Sequence, residues 1–246
     1  MQVKKNNRAY FLLLLVCAGL AAAFFPKGTK TCALKVERRA SKGGRHYTIF
    51  RQGALRADFV LQRPSKNDTS ILLCIPAAFT ALEDYSVDGV HISQGKIYKK
   101  NKVNRSIGGA VMIVDGKATL FSTKKGALLT DSLLNKIAGK KGALFQQIMI
   151  VQKSAAPSFK DSSYFQRRAI VDFGKGKIAV VESGESIRLA EFARDLVELG
   201  ALHAIYTDMG AWDEGWYRDP GDCKAATIGL LRSQTEKQTN WFVFKK

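Results

Sequence analysis

The segment AIYTDMGAWDEGWYRD, residues 204–219, decides how this sequence is interpreted. An apolar run ends abruptly at Asp208, and a glycine-punctuated loop with two tryptophans, an arginine and three further acids follows it. A buried strand that feeds such a loop places polar side chains on a rigid support, as binding and catalytic sites require. We therefore expect a core strand that ends at Asp208, followed by a functional loop.

The segments around this loop predict the rest of the fold. A helix is expected from the cap residue Ser186 to Gly200, because apolar residues recur there at helical spacing, and a second over 128–138. Asp115-Gly116 and Gly174-Lys175-Gly176 predict two hairpins. Further strands are predicted at 46–50, 57–61, 70–75, 90–92 and 96–98. This order indicates an α+β fold: a mixed, largely antiparallel sheet with a few helices in a single domain.

The N-terminus has the features of an export signal. Lys4, Lys5 and Arg8 precede an uncharged run over 10–25, which is shorter than the ~20 apolar residues of a bilayer span. Residues 1–23 are therefore predicted to be a signal peptide or an N-terminal anchor, which gives possible membrane attachment. Residues 24–45 are polar and predict a tether, and 46–246 form the domain. We expect an exported protein, whether periplasmic, in the cell envelope or secreted.

Charge and cysteine content restrict the function classes. The net charge of +18 comes from scattered basic residues, which are more typical of a solvated surface than of a nucleic-acid stripe. The excess of positive charge favours anionic partners such as a phosphorylated or anionic glycan. We expect no nucleic acid as a partner. Cys32, Cys74 and Cys223 would remain after cleavage, so at least one is unpaired or bonds another molecule. Cys74 lies in an apolar run and is expected to be a buried hydrophobe. No metal-ligand spacing is present, and we assign no metal and no cofactor.

Three pairs of segments follow one another in fixed order: IPAAFT (75–80) with DGVHISQGK (88–96), RAIVD (168–172) with GKIAVVES (176–183), and a helix followed by AIYTDMG (189–210). Together they resemble the phosphodiester glycosidase family, enzymes that remove a sugar from a phosphodiester, and in particular an exported bacterial subgroup. Two positions depart from the family pattern. Pro76 or Ala77 stands where the family has Asn, and Met209 replaces the first glycine of an Asp-Gly-Gly turn.

The resemblance implies charged groups for cleaving a sugar–phosphate bond. A carboxylate must stabilise the sugar cation or activate water, and cationic groups must hold the phosphate. Asp208 is the first candidate carboxylate, or else an Asx turn, and Glu182 is the second, or else a solvent-facing strand-end charge. Arg168 is expected to bind phosphate, or else to form a surface salt bridge, with Arg167 on the opposite strand face and solvated. Arg218 is a second anion-binding candidate.

The remaining candidates contact substrate. Trp212 and Trp216 can stack on a sugar ring, although at least one is expected to pin the loop to the core. Gln146 and Gln147 either bind sugar hydroxyls or satisfy backbone groups. His91 and the turn residue Gly210 complete the set.

The leading hypothesis is an exported hydrolase that cleaves a phosphodiester glycosidic bond in a glycan. The alternative is a non-catalytic envelope module that binds anionic or phosphorylated polysaccharide.

Overall fold

The computed structural model describes residues 32–230 and 232–246, so the predicted export signal lies outside the described residues. Helix α1 spans Asp131–Gly139 and helix α2 spans Leu189–Glu198, and a short 3-10 helix covers Thr235–Lys237. The strands are β1 Lys35–Ala40, β2 His46–Arg51, β3 Arg56–Val60, β4 Ile71–Pro76, β5 His91–Ser93, β6 Lys96–Tyr98, β7 Gly109–Val114, β8 Lys117–Ser122, β9 Ala143–Gln147, β10 Met149–Gln152, β11 Arg168–Asp172, β12 Ile178–Ser183, β13 His203–Tyr206, β14 Gly215–Arg218, β15 Ala225–Ile228 and β16 Trp241–Lys245.

The strands form three sheets rather than the one mixed sheet that was predicted. Their orders are β1-β2-β12-β11-β13-β10, β15-β14-β4-β16-β3 and β6-β5-β9-β7-β8. Neighbouring strands pair antiparallel throughout these sheets, within the described residues. The predicted antiparallel character is therefore confirmed. The α+β class is met only in its broad sense, because the chain is predominantly β and contains only two α-helices among the described residues.

The predicted tether over residues 24–45 is wrong for its second half. Lys35–Ala40 forms β1, which pairs with β2 from Lys35↔Arg51 to Ala40↔His46. The hairpin is fixed to α2, because the Arg45 side chain donates two hydrogen bonds to Asp195 at 2.6 and 2.7 Å. Basic residues at an exposed edge strand resemble a flexible linker in sequence, although they also protect such an edge from pairing with another chain.

The hairpin at Asp115-Gly116 and the C-terminal end of helix α2 agree with the sequence prediction. β7 and β8 meet at Asp115-Gly116, where both residues have the positive φ of a tight hairpin turn. Helix α2 begins later than predicted, because Ile187 pairs with Phe165 through two backbone hydrogen bonds and Arg188 stays extended. It ends just before Gly200, whose φ of +97° suits the predicted glycine stop.

The sheets and helices enclose a continuous apolar interior. Side chains from all three sheets form one large cluster, and the other face of the six-stranded sheet buries Phe192, Ala193 and Leu196 of α2. Helix α1 covers the third sheet through Leu134 and Ile137. The C-terminal ends of β4 and β13 meet, because the backbone N–H of Asp208 donates to Ala77 O at 3.1 Å. This junction supports the loop that carries the candidate site.

One disulfide fastens the start of the described chain to the body. Cys32 and Cys223 are bonded, with Cα atoms 5.3 Å apart and a sequence separation of 191 residues. Cys223 lies in the turn between β14 and β15. Cys74 is a free, fully buried thiol, as predicted. None of the helices in the described part of the chain has the length and apolar character needed to cross a bilayer.

Candidate active site

Asp208 is held at the end of β13 in the loop that leads to β14. Its side chain is buried, and its Oδ2 accepts hydrogen bonds from Thr80 N at 3.2 Å and from Trp212 Nε1 at 3.3 Å. Both donors use the same oxygen. These two hydrogen bonds do not involve Oδ1. The strand fixes the position of the carboxyl group, and the turn after β4 supplies part of its shell.

The environment of Asp208 favours its neutral form. Burial raises the pKa of Asp208 to about 7, against hydrogen bonds from Trp212 and Thr80 that lower it, and the charge of Asp213 raises it further. The carboxyl group is thus close to half protonated at neutral pH. A group with this pKa is suited to accept or donate a proton near pH 7, as general acid–base catalysis requires.

A buried ionic triad lies beside this loop. The guanidinium of Arg168 is fully enclosed; its Nε donates to Glu182 Oε2 at 2.6 Å, and its Nη1 and Nη2 donate to the two oxygens of Asp213 at 2.9 Å each. Burial opposes the charge, yet Asp213 and Glu182 outweigh it and raise the pKa of Arg168 above its ordinary value. Two carboxylates against one guanidinium leave the triad with a net charge of about −1 when all three groups are ionised.

The predicted phosphate-binding role of Arg168 is therefore wrong in this structure. Its side chain reaches no solvent and is bound to two carboxylates of the chain itself. Glu182 is similarly engaged, because its Oε1 accepts from Gln166 Nε2 at 3.2 Å while Oε2 binds Arg168. Glu182 is thus neither the predicted second free carboxylate nor the solvent-facing charge of the alternative. It serves as a buried counter-ion.

Glycines make room for the triad. At Gly229 the backbone has a φ of +89°, and a Cβ there would overlap the Asp213 carboxylate and lie 3.3 Å from Arg168 Nη2. A Cβ at Gly215 would lie 2.7 Å from Ile228 Cγ1 and 3.5 Å from Arg168 Nη1. Gly229, just after β15, therefore lets the backbone approach the Asp213 carboxylate, and Gly215 lets β14 pack closely against Ile228 of β15.

Arg167 lies on the opposite face of β11 from Arg168, as strand alternation predicts, but it is not solvated. It is buried, and it donates from Nε to Ile187 O at 3.1 Å, from Nη1 to Tyr206 Oη at 3.1 Å and from Nη2 to Asp161 Oδ2 at 3.0 Å. Its guanidinium also lies 5.3 Å from the centre of the Phe165 ring. Neither arginine therefore has the surroundings that were predicted for it: Arg167 is buried rather than solvated, and Arg168 is bound to two carboxylates of the chain itself.

Arg167 borders a cavity of about 530 Å³. Tyr206, Asp213 and the Met209-Gly210 turn form other parts of its wall. Large apolar side chains stand exposed around it: Tyr164, Phe165 and Leu230 are 54%, 47% and 64% exposed. A concave site with apolar walls and a few convergent polar groups is the usual form of a small-molecule site. Asp208 does not line this cavity itself, but Gly210, another predicted site residue, does.

The two tryptophans of the loop have different roles. Trp212 donates to Asp208, and its ring meets Tyr85 edge-on with centroids 6.3 Å apart. Trp216 is 1% exposed and packs in the core with Cys74, Trp241 and Val243. Trp212 remains a candidate substrate contact, whereas the predicted sugar contact of Trp216 is wrong. Trp216 belongs to strand β14 and pins the segment to the core.

Arg218 is not available to an anion. It lies at the end of β14, and its guanidinium donates to four backbone carbonyls, those of Cys223, Ile71, Lys66 and Asp68, at 2.7–3.1 Å. The predicted second anion-binding role is therefore wrong. The arginine stabilises the loop before β4.

The two glutamines that were predicted to contact substrate also form their hydrogen bonds within the protein itself. Gln146 Oε1 accepts from Val90 N and Asn104 N, and its Nε2 donates to Asn104 O. Gln147 donates to Ala77 O at 3.3 Å and accepts from Ile148 N. Both glutamines follow the alternative of backbone satisfaction that the sequence left open.

His91 is likewise a core residue. It is 4% exposed, stacks on Tyr98 with ring centroids 5.0 Å apart, and its Nδ1 lies 3.1 Å from Gly89 O. Burial lowers its pKa, with the hydrogen bond to Gly89 acting in the opposite direction. The prediction that His91 binds substrate is therefore wrong.

Sequence reasoning missed two residues that shape the site. Asn240 is fully buried, and its amide accepts from Ala78 N at 2.7 Å and donates to Ala78 O at 3.1 Å, which fixes the turn beside Asp208. A side-chain amide thus reaches the turn where the family's Asn is missing, but it comes from the residue just before β16, 162 positions away, which sequence spacing could not reveal. Asp213 could be located in the loop from the sequence, but its pairing with Arg168 could not. No cluster of three metal-ligating side chains is present in the described ranges.

The fold is shared with solved structures of distantly related sequence, one of them an enzyme. The catalytic domain of zebrafish N-acetylglucosamine-1-phosphodiester alpha-N-acetylglucosaminidase, auto-inhibited by its pro-peptide, superposes with a TM-score of 0.56 at 11% identity, over 89% of this chain and 85% of that one. A hypothetical protein from Synechocystis gives a TM-score of 0.55 at 12% identity, over 87% of this chain and 62% of that one. No protein-family model and no curated protein matches the sequence. The likeness establishes a common fold and supports the resemblance at that level.

Proposed function

We propose that this protein is an exported hydrolase that cleaves the bond between a sugar and a phosphodiester, with Asp208 as the reacting carboxyl group. The observation that carries the proposal is the buried Asp208, with a pKa raised to about 7, in the loop whose next two residues line the cavity. The fold shared with a phosphodiester glycosidase domain supports the choice of reaction class.

In this reaction Asp208 would act as the base that activates the attacking water. Phosphate leaves readily as an anion, so proton donation to the leaving oxygen contributes little, and the harder task is to activate water at the anomeric carbon. In its ionised form Asp208 would accept a proton from that water through Oδ1. Oδ2 stays fixed by Thr80 and Trp212.

The triad would assist through its charge. Asp213 contributes to the cavity wall, and the triad of Arg168, Glu182 and Asp213 carries one more carboxylate than guanidinium. A fixed negative potential in a poorly solvated site stabilises the positive charge that develops on the sugar ring. Arg167, the cation among the cavity-lining residues, is paired with Asp161 and bonded to Tyr206, so it would offer the phosphate positive charge at the cavity wall rather than a free guanidinium.

Export is proposed from two features that do not depend on the reaction. The N-terminal sequence has the composition of a signal segment, and Cys32 is disulfide-bonded to Cys223. Such bonds persist in oxidising compartments. Cell fractionation of the producing organism tests this part: the protein should be found outside the cytosol, and a cytosolic location would contradict it.

The experiment for the reaction measures free sugar released from a panel of sugar-1-phosphodiesters by the purified, disulfide-bonded chain. We expect release by the wild type and a loss of about 100-fold or more in Asp208→Asn, as for removal of a general base. Asp58→Asn is the matched control, since that carboxylate pairs with Lys245 in another sheet. Equal activity of Asp208→Asn and wild type would contradict the proposal.

A non-catalytic role in binding phosphorylated glycan is the second candidate. The observation that favours it is the loss of two features of the family pattern at the site, where Pro76 or Ala77 replaces an Asn and Met209 replaces a Gly. Binding of every sugar-1-phosphodiester in the panel without any product would select this function over hydrolysis.

A further inference from the structure

A second concave site lies at the far end of the six-stranded sheet. The cavity has a volume of about 520 Å³ and lies beside β1, the end of β2 and the β11–β12 turn. We call it the basic groove and define it by Lys35, Glu37, Arg39, Arg51, Phe173 and Lys177. Strand β11 runs from Arg168, beside the candidate active site, to Asp172, next to Phe173. The two sites are therefore separated by the length of a strand.

The groove carries an excess of positive charge. Glu37 is its one acidic side chain, and it is shared by Lys35 at 3.1 Å, Arg51 at 3.0 Å and Arg39 at 3.5 Å. Lys177 adds a fourth cation from the opposite wall. One carboxylate cannot neutralise four cations, so the groove attracts anions.

The cations are not all free surface groups. The guanidinium of Arg51 lies 4.4 Å above the centre of the Phe173 ring, and its side chain is only 18% exposed. It is thus held in one orientation between the ring and Glu37. Such a preorganised arginine loses little conformational freedom when it binds a phosphate, and it can bind in a bidentate manner.

The backbone leaves space in the groove for a ligand of substantial size. Gly53 and Gly176 line it, and a Cβ at either position would meet nothing within 4 Å. A concave site bounded by an aromatic ring admits a saccharide unit, whereas a flat membrane surface would meet only its rim.

From the charge, the fixed arginine and the shape, we infer that the basic groove binds a phosphorylated sugar unit of an anionic polysaccharide, at a site separate from Asp208. The groove would hold the protein on such a polymer. This role does not depend on the proposed hydrolysis.

Binding of phosphorylated mannan to the full disulfide-bonded chain, measured at low salt with neutral mannan as reference, tests the inference. The variant Lys35→Gln/Arg39→Gln/Lys177→Gln removes three exposed groove charges and leaves Arg51 and Phe173 in place. The matched control is Lys102→Gln/Lys124→Gln/Lys125→Gln, which removes three exposed charges from loops that flank the third sheet. We expect the groove variant to bind about tenfold more weakly or worse, and the control to change by less than about twofold.

Asp208→Asn separates this inference from the proposed function. It should keep full affinity for phosphorylated mannan even where it loses hydrolysis. Equal weakening in the two triple variants would overturn the inference, because general charge would then explain the binding. Failure to bind phosphorylated mannan, with retention on phosphatidylglycerol vesicles or single-stranded DNA instead, would also overturn it.

Discussion

At the scale of single residues, Asp208 links stability to pH. Its pKa is raised to about 7 in the folded protein from an ordinary value of 3.8, so the folded state holds the proton more tightly than the unfolded chain. The stability associated with this proton is fully present below pH 3.8 and is lost as the pH rises through about 7. A shift of this size corresponds to at most about 4 kcal/mol.

The variant Asp208→Asn should therefore be more stable than the wild type at pH 8, with a difference that disappears near pH 4. The reason is that Asn keeps the shape of the protonated carboxyl group but cannot ionise. Urea unfolding at the two pH values measures the difference, with Asp58→Asn as a control that should gain nothing at pH 8. If the variant is less stable than the wild type at pH 8, ionisation of Asp208 does not destabilise the folded protein, and the prediction is contradicted.

Predictions for single residues were correct where they depend on neighbouring residues in the chain. They were wrong where a partner distant in sequence determines whether a side chain is buried or paired. Strand alternation correctly placed Arg167 and Arg168 on opposite faces. It could not show that both arginines are buried or that Arg168 pairs with Asp213, which lies 45 positions away on another element. The same limit applies to Arg218, whose carbonyl acceptors at Lys66 and Asp68 come from a loop about 150 positions earlier.

At the scale of elements, the triad joins β11, β12 and the loop before β14. Arg168→Ala should lower the free energy of unfolding by about 3–5 kcal/mol, because it leaves Glu182 and Asp213 as unpaired buried charges. Arg38→Ala, at an exposed position of β1, is the control and should change stability by less than about 0.5 kcal/mol. If thermal unfolding of Arg168→Ala matched that of the wild type, the triad would not be a buried structural unit.

Elements with strong local signals were predicted closely. The hairpin at Asp115-Gly116 and the glycine stop after α2 both follow from backbone preferences that act within a few residues. Strand β1 was interpreted as a tether, and β14 as part of a loop. The position of each of these short strands is set by partners elsewhere in the chain.

At the scale of the whole molecule, the Cys32–Cys223 bond closes most of the described chain into one loop. Closing so long a loop stabilises a protein by about 5 kcal/mol in the chain-entropy account. We expect a reducing agent to lower the melting temperature by roughly 10 °C. Cys32→Ser/Cys223→Ser should melt at that lower temperature with or without the reductant. An unchanged melting temperature on full reduction of the wild type would contradict this role.

The sequence predicted an α+β fold with a mixed, largely antiparallel sheet and a few helices, but neither the predominance of β structure nor its division into three sheets. Alternation shows which face of a strand is buried, whereas the choice of neighbours depends on contacts far apart in sequence. Strand β16, at the C-terminus, lies between β3 and β4, and nothing local to it specifies those partners. The candidate site depends on the same kind of contact, since Asn240 holds the turn beside Asp208.

The pH dependence of sugar release from a sugar-1-phosphodiester that the wild type cleaves tests the central claim most directly. If ionised Asp208 activates water, kcat/KM should rise about tenfold per pH unit below the pKa and level off above about 7. The rate would thus increase over the same interval in which stability falls. A rate that is flat between pH 5 and 8, or no release at all by the folded, disulfide-bonded wild type, would contradict the account.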